Sequence, residues 1–416
     1  MQKAQTLKGF RDFLPEDMAI RNKVISTLKK VFESYGFSEL QTPTLEYAQI
    51  LLGKYGEEAE KLMYLFKDNG EREVGMKYDL TVPLARVAAS YPDLPKPFKR
   101  YQIQPVFRAD NPQKGRYREI YQCDIDTVGT MSLGADAEII SIISDVLREL
   151  RFESFTIRVN SREVLFGLID KAGISKELAT SVIQSIDKLD KKTQEEIDLE
   201  LAKKSLTREQ INALFAAIKN ASPNTELKRV IEEAQRLGAQ NITFDPTLAR
   251  GLDYYTGAIF ETVVTQPKIG SITGGGRYDN LIGSLGGPDL PAVGTTFGLD
   301  RICDVIKDLN LWPDLPPTPT KVLVTTFSKE LAKKSLELAT KLRKAGVPTE
   351  LYLDSSEKLD KQLRYADKKG VPYAIIIGPE EVEKKIINLK NLSSKSSRLI
   401  GTDNLIKELK EELKND

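Results

Sequence analysis

The segment Val106-Phe-Arg-Ala-Asp-Asn-Pro-Gln-Lys-Gly-Arg-Tyr-Arg-Glu-Ile-Tyr-Gln-Cys-Asp-Ile-Asp126 has the pattern of strand, loop and strand, and it decides how the rest of the chain is read. Successive side chains of a strand point to opposite faces. Ile120, Gln122, Asp124 and Asp126 therefore share one face, and Tyr121, Cys123 and Ile125 take the other. On the first strand Arg108 falls on the side of Gln102 and Gln104, and the loop carries Lys114, Arg116 and Arg118. A sheet face lined with fixed cations and carboxylates suits a small zwitterion held beside a phosphate. A solvated hairpin face with a basic tip is the plainer reading of the same residues.

Working outward, strand-like runs occur near residues 73–79, 98–108, 118–128, 258–264, 271–274 and 293–298. Turns rather than regular helices join them, which favours an antiparallel sheet. Ahead of them, Ile20, Val24, Ile25, Leu28, Val31 and Phe32 form the stripe of an amphipathic helix over 15–35, closed by Gly36. The extended segment Phe37 to Leu45 is interrupted by Pro43, which cannot donate to a sheet ladder and so places this strand at an edge or a subunit contact.

From about 161 to 238 the texture becomes charged and helix-forming, without strands. Thr207-Arg-Glu-Gln210 reads as a capping box, and Leu227, Val230, Ile231, Ala234 and Leu237 make another apolar stripe. This stretch is expected to be a helical insertion in the sheet domain. Its lysines at 191, 192, 203 and 204 fit a solvated helix face or a polyanion contact. Residues 312–320, Trp312-Pro-Asp-Leu-Pro-Pro-Thr-Pro-Thr320, form a proline-rich linker. After it, β-α-β-α-β alternation predicts a small, mainly parallel α/β domain over 321–416. The expected fold class is thus an α+β domain over 1–311, built on an antiparallel sheet with a helical insertion, plus a C-terminal α/β domain.

The 416 residues include no histidine and only two cysteines, Cys123 and Cys303. Histidine relays, a histidine general base and imidazole-ligated zinc are excluded, and no thiolate cluster can form, so no protein-bound metal is expected. Two distant cysteines suit a reducing compartment. Lysine and arginine number 61 against 60 aspartates and glutamates, so any polyanion must be met by local patches. No apolar run is long enough for a membrane, and Met1 to Arg11 lacks the apolar core of a secretory signal, which points to the cytoplasm.

Three further clusters carry chemistry. Ala249-Arg-Gly-Leu-Asp-Tyr-Tyr-Thr-Gly257 offers Arg250, Asp253, Tyr254 and Tyr255 on a glycine-permitted path, or an ordinary turn with an ion pair. Thr273-Gly-Gly-Gly-Arg-Tyr-Asp279 lets a ligand approach the backbone, although glycine runs also mark plain loop tips. Val293-Gly-Thr-Thr-Phe-Gly-Leu-Asp-Arg301 runs from a strand into a helix whose first turn suits phosphate. There is no P-loop and no strand-linked Gly-x-Gly-x-x-Gly, so nucleotide binding is of another kind.

In combination, Pro43 after a long helix, Phe107-Arg108 with its loop and strand, and Gly298-Leu-Asp-Arg301 resemble the three signature motifs of class II aminoacyl-tRNA synthetases. Leu248 to Gly257 and Gly274 to Asp279 are similar to the two peptides that mark the histidyl-tRNA synthetase family. The resemblance covers nearly the whole chain, in order. Lys77-Tyr-Asp-Leu-Thr-Val-Pro83 and Tyr121 to Asp126 look more like the eukaryotic and archaeal branch.

The resemblance implies ligation of L-histidine to histidine tRNA through a histidyl-adenylate, with ATP as co-substrate, Mg2+ on the pyrophosphate and a homodimeric assembly. Carried over residue by residue, Arg108 grips the α-phosphate and Arg250 is the catalytic cation bridging substrate carboxylate and α-phosphate. Arg301 packs on ATP, and Asp110, Arg116 and Ile120 belong to the same ATP site. Asp79, Thr81 and Gln122 match positions that hold the α-ammonium, and Asp126 and Tyr255 those that bind the imidazole, with Tyr254 and Tyr278 completing the pocket. Taken alone, Asp79 also fits a helix cap before Leu80. Gln113, Lys361 and Arg364 are the candidate tRNA contacts, the last two in an anticodon-binding domain, although as lysine and arginine on a helix they also suit plain solvation.

Two positions depart from the family pattern. Ile120 stands where a phenylalanine usually faces the adenine, and Asp110 where a longer glutamate is common. The alternative function is a non-catalytic regulatory paralogue, either a histidine-biosynthesis subunit or a sensor of uncharged tRNA.

Overall fold

The computed structural model describes residues 4–52, 60–112, 115–250 and 254–415. Gln113, Lys114 and Asp253, singled out above, lie outside them. Two compact units result, one of Met1–Asp12 and Arg21–Trp312 and the other of Phe13–Ile20 and Pro313–Asp416.

The first unit is organised by an eight-stranded sheet. In chain order its strands are β1 (Ser38–Glu39), β5 (Phe98–Phe107), β6 (Glu119–Val128), β7 (Phe155–Ser161), β8 (Ile242–Phe244), β9 (Ala258–Val264), β10 (Thr273–Arg277) and β11 (Ala292–Gly298). The spatial order is β1-β5-β6-β11-β10-β9-β7-β8. Every internal pairing is antiparallel, and only the edge strands β1 and β8 pair in parallel. A second, three-stranded sheet has the order β2 (Leu45–Tyr47), β4 (Glu73–Met76), β3 (Leu65–Lys67). The segment 37–45 is not one strand. Pro43 falls between β1 and β2 and parts them into the two sheets, as a residue without an N–H donor requires.

Helices cover the back of the large sheet. Along α1 (Pro15–Ser34) Val24, Leu28, Val31 and Phe32 are buried, and the Phe32 ring lies 5.7 Å from Tyr101 and 5.5 Å from Phe297. Two short helices follow, α2 (Ala48–Leu51) and α3 (Thr81–Ser90). In α4 (Leu133–Glu149) a nearly continuous apolar run is buried against β6, β10 and β11. The opposite face of the sheet carries the polar row and holds the cavity described below.

The expected insertion forms helices α5 (Arg162–Lys171), α6 (Lys176–Ile186), α7 (Gln194–Lys203), α8 (Arg208–Lys219) and α9 (Thr225–Arg236). Thr207 makes its capping box with Gln210, and Thr193 makes another with Glu196. The first four helices share a core with Ile183, Leu201 and Leu214 at its centre. The last helix packs on α4 instead, with the Ser141 hydroxyl donating to the Ala234 carbonyl at 3.3 Å. Helix α10 (Leu299–Asp308) then leads out of β11.

In the second unit β12 (Val322–Val324), α11 (Ala332–Lys344), β13 (Thr349–Leu351), α12 (Leu359–Lys368) and β14 (Tyr373–Ile376) alternate with parallel pairing. The mainly parallel expectation needs one correction, for a helix α13 (Pro379–Glu383) is followed by a hairpin, β15 (Ile386–Asn391) and β16 (Ser397–Gly401), that extends the sheet antiparallel. Only Ile387, Leu389 and Ile400 of that hairpin reach the core, which left its apolar signal weak. Helix α14 (Leu405–Asn415) closes the unit.

Candidate active site

The register of the three central strands builds the site. Arg100 lies opposite Asp126, Gln102 opposite Asp124 and Gln104 opposite Gln122. On the other side of β6, Gly294 pairs with Asp126 and Thr296 with Asp124. The polar face read from alternation is therefore real, but it is buried under a cavity rather than solvated. Arg100 and Gln102 are fully buried, and Asp124 and Asp126 are 3% exposed.

The cavity has a volume of about 150 Å³. Asp79, Thr81, Arg108, Gln122, Asp126, Arg250, Tyr254, Tyr255 and Tyr278, the expected amino-acid and catalytic residues, all line it. Asp124, Gly274, Gly294, Thr295 and Thr296 complete the wall. Asp110, Arg116, Ile120 and Arg301, the other expected ATP residues, are not part of this lining.

Three tyrosines make one side. The rings of Tyr254 and Tyr255 are 4.6 Å apart, and Tyr278 meets Tyr254 edge-on at 6.1 Å. Burial raises the hydroxyl pKa of Tyr254 and Tyr278 well above the ordinary value, so both remain protonated donors. The Tyr278 hydroxyl donates to Asp126 Oδ1, while Asp126 Oδ2 lies 2.7 Å from the Arg100 guanidinium. Asp79 accepts from the backbone N–H groups of Thr81 at 3.1 Å and Val82 at 3.0 Å, so it caps α3 and lines the cavity at once.

The arginines are held chiefly by neutral groups. Arg108 donates to the Tyr78 carbonyl at 3.0 Å and lies 4.4 Å above the Tyr78 ring. Arg250 donates to the Ser271 hydroxyl at 3.1 Å, with Glu261 at 3.5 Å, and Arg301 donates to the Ser271 carbonyl at 2.6 Å. Burial, then the Arg250 charge, lowers the Arg301 pKa. Among the described residues Arg108 and Arg301 have no carboxylate partner within ion-pair distance. Their field is left available for an anion.

Gly274 makes this docking possible. It pairs with Thr296 on one side and Glu261 on the other, and a Cβ built there would lie 2.2 Å from Arg250 Cζ. Gly275 serves packing, since its Cβ would sit 2.1 Å from the Gly294 carbonyl oxygen. The glycine run thus accommodates a side chain and a neighbouring strand, where the sequence suggested a ligand against the backbone. Arg277 of the same peptide points away from the cavity and donates to Asp136 and to the carbonyls of Thr130 and Ser132.

On the hairpin between β5 and β6, Arg116 binds Asp110 at 2.7 Å. Arg118 donates its backbone N–H to the Gly9 carbonyl at 2.9 Å, so the segment before α1 straps the hairpin. Ile120 faces Val106 across the pair, with no aromatic ring at that step. In the second unit Lys361 is exposed and paired with Glu357 at 2.5 Å, and Arg364 donates to the Asp360 carbonyl at 3.3 Å.

Ser271 and Thr296 were not predicted from the sequence, whereas the backbone N–H bonds of Asp79 fit its reading as a helix cap. Ser271 lies 21 and 30 residues from the two arginines it positions, so only the folded sheet brings them together.

An antiparallel sheet with docked arginines over a small polar cavity, and no glycine-rich nucleotide loop, defines the class II aminoacyl-tRNA synthetase type of catalytic unit. Comparison with known proteins narrows this. The histidyl-tRNA synthetase family matches residues 9–302, and an anticodon binding domain matches 321–412. A histidine–tRNA ligase of Cytophaga hutchinsonii is 39% identical, covering 98% of this chain and 100% of its own, and one of Gloeobacter violaceus is 42% identical, covering 95% and 96%. The crystal structure of a histidyl-tRNA synthetase from Nostoc superposes with a TM-score of 0.86 at 31% identity, covering 99% of this chain and all of the other. The chain belongs to the histidyl-tRNA synthetase family.

Proposed function

We propose that the chain joins L-histidine to ATP at this cavity, forming histidyl-adenylate and pyrophosphate, and then transfers the histidyl group to the terminal adenosine of histidine tRNA. The observation that carries this reading is the convergence of Arg108 and Arg250 with Asp79, Gln122, Asp126 and three tyrosines on one cavity. In the first step an oxygen of the histidine carboxylate attacks the α-phosphorus and pyrophosphate leaves. In the second, a ribose hydroxyl of the tRNA attacks the acyl carbon and AMP leaves. The carboxylate is a nucleophile without deprotonation at neutral pH, which suits a chain that has no histidine to act as base. The protein's tasks are alignment and charge stabilisation.

In this reading Arg250 bridges the two reacting groups, Arg108 holds the α-phosphate and Arg301 packs on ATP. The hairpin residues Asp110, Arg116 and Ile120 border the nucleotide, with apolar contact from Ile120 in place of aromatic stacking. Asp79, Thr81 and Gln122 receive the α-ammonium, and Asp126, Tyr254, Tyr255 and Tyr278 the ring. Mg2+ enters this reading as the companion of ATP's phosphates, and no step is assigned to it.

Residues 1–311 are read as the catalytic domain, with the insertion at about 161–238, 312–320 as the linker and 321–416 as the anticodon-binding domain. Lys361 and Arg364 are its candidate tRNA contacts. A second copy is placed against the hollow of about 780 Å³ lined by Leu40, Pro43, Leu45, Tyr47 and Val74, where Leu45 and Tyr47 are exposed apolar side chains. No helix among the described residues is long and apolar enough to cross a membrane, which suits the cytoplasmic setting proposed. The presence of Arg250 on the cavity wall favours catalysis over the regulatory alternative.

The test is ATP–pyrophosphate exchange across a panel of amino acids. Histidine alone supports rapid exchange on this account. Exchange with another amino acid, or with none, contradicts it.

A further inference from the structure

The hairpin of β5 and β6 carries Asp110, Arg116 and Ile120, none of which lines the cavity, and the residues beside them are held from outside the hairpin. The Arg11 guanidinium carbon lies 3.2 Å from the centre of the Tyr117 ring. The Gly9 carbonyl accepts the Arg118 N–H at 2.9 Å, and Asp300, in the first turn of α10, accepts the Tyr121 N–H through Oδ2 at 3.2 Å. Arg118 carries the hold onward. Its Nε donates to the Asp110 carbonyl at 3.0 Å, and its own carbonyl accepts the Arg108 N–H at 2.9 Å.

The holding segment fits closely. Gly9 has a φ of +89°, and a Cβ there would lie 2.7 Å from Arg118 Cδ and 2.9 Å from Pro112 Cγ, so both the backbone and the space call for glycine. Asp300 is buried, and its Oδ1 receives Arg21 at 2.6 Å and Arg11 at 2.8 Å. Arg21, only 4% exposed, already neutralises that carboxylate, so charge balance gives no reason for a second cation. Arg11 adds a link. The guanidinium that pairs with Asp300 also lies over a ring of the hairpin, a double contact suited to a planar cation and poorly met by an ammonium group.

We propose that Arg11 is a positioning residue for ATP, holding the β5–β6 hairpin against the first turn of α10 so that Asp110, Arg116 and Ile120 meet the same nucleotide as Arg301. This rests on the adenylate-forming reading above. Arg301 follows Asp300 in that turn and is fixed on its other side by the Ser271 carbonyl. The Tyr121 bond joins the helix to the strand, and Arg11 extends the junction to the loop at Tyr117. The effect is confined to the nucleotide side. The Arg108 side chain is fixed separately by Tyr78, and Asp79 and Asp126 by the start of α3 and by Tyr278.

The experiment measures exchange kinetics and equilibrium titration with ATP and Mg2+ on the full chain, as wild type, Arg11→Ala, Arg11→Lys, Tyr117→Ala and the double variant Arg11→Ala/Tyr117→Ala. Arg11→Ala is expected to raise the ATP KM and Kd about 10-fold, with the histidine KM within about twofold. Arg11→Lys keeps the charge beside Asp300 without the planar face, and it should raise both ATP constants at least about threefold. Tyr117→Ala leaves both arginines on Asp300, so it keeps the test open if Arg11→Ala does not fold, and it should match that variant. The double variant should be no more than about twofold worse than either single one, because the pair acts through one contact. A purely structural role lowers Tm and raises the KM of both substrates alike, and that pattern overturns the proposal. So does a wild-type ATP Kd in Arg11→Ala and Tyr117→Ala, or effects that multiply in the double variant. If the wild type shows no histidine-dependent exchange, the histidine-activating reading fails, while the ratio of ATP Kd values still decides the role of Arg11.

Discussion

A methyl group at Gly274 would occupy the space in which the Arg250 guanidinium lies, 2.2 Å from Cζ. The obstacle is the far end of a flexible side chain, so Gly274→Ala is expected to change folding stability by no more than about 1 kcal/mol while displacing Arg250 and lowering exchange about 100-fold. Thermal melting and kcat/KM, measured on one preparation, check both halves. Asp124 gives a prediction on pH. Burial chiefly, with the Asp126 charge adding and the Arg100 charge opposing, pushes its carboxyl up to about 7 from 3.8. The folded chain therefore holds this proton in a window where the unfolded chain has lost it, so the residue's contribution to stability falls as pH rises from about 4 to about 7. Asp124→Asn cannot ionise. Its Tm should exceed that of wild type at pH 8, by a margin that shrinks towards pH 4.5, and a margin independent of pH would contradict the cause given. At this scale the places of Gln122, Asp126 and Arg108 on the cavity wall were legible through strand alternation and motif resemblance, and that of Arg250 through the resemblance alone. Ser271 and Thr296 were not, because a serine or threonine becomes specific only through its cross-strand neighbours.

Helix α3 shows two uses of one carboxylate. Asp79 accepts from the N–H groups of Thr81 and Val82 and also lines the cavity, so its position is compatible with both the cap and the ligand readings of the sequence. Asp79→Ala should cost about 1 kcal/mol through the cap, whereas Asp79→Asn retains an acceptor and costs less. Both variants should raise the histidine KM. Denaturant melts compared with KM values separate the two roles, and equal stability loss in both variants would remove the capping account. The insertion is tied to the catalytic peptide in a similar way. Asp187, at the end of α6, accepts the Ala249 N–H at 3.1 Å, and Ala249 packs in the insertion core beside Arg250. Long amphipathic helices and the β5–β6 hairpin were readable from period and turn signals. Helix α4 was not, because a segment buried along most of its length loses the polar stripe that marks a helix. The short edge strand β8 gave too few residues for a period to register.

For the whole molecule, the lack of histidine has a consequence once the site is seen. The positive charge at the cavity comes from arginines held chiefly by carbonyls, a hydroxyl and an aromatic ring, with Glu261 at 3.5 Å from Arg250 as the acid among their partners. The antiparallel class of the large sheet followed from the turn pattern and the motifs in order. The exact seat of ATP relative to Asp110 and Ile120 did not, since those residues lie outside the cavity lining. Arg250 is assigned here to the reacting groups rather than to the fold. Histidine-dependent ATP–pyrophosphate exchange by Arg250→Ala tests it most directly. Exchange should fall about 100- to 1,000-fold with Tm close to wild type. Exchange at the wild-type rate in that variant would contradict it.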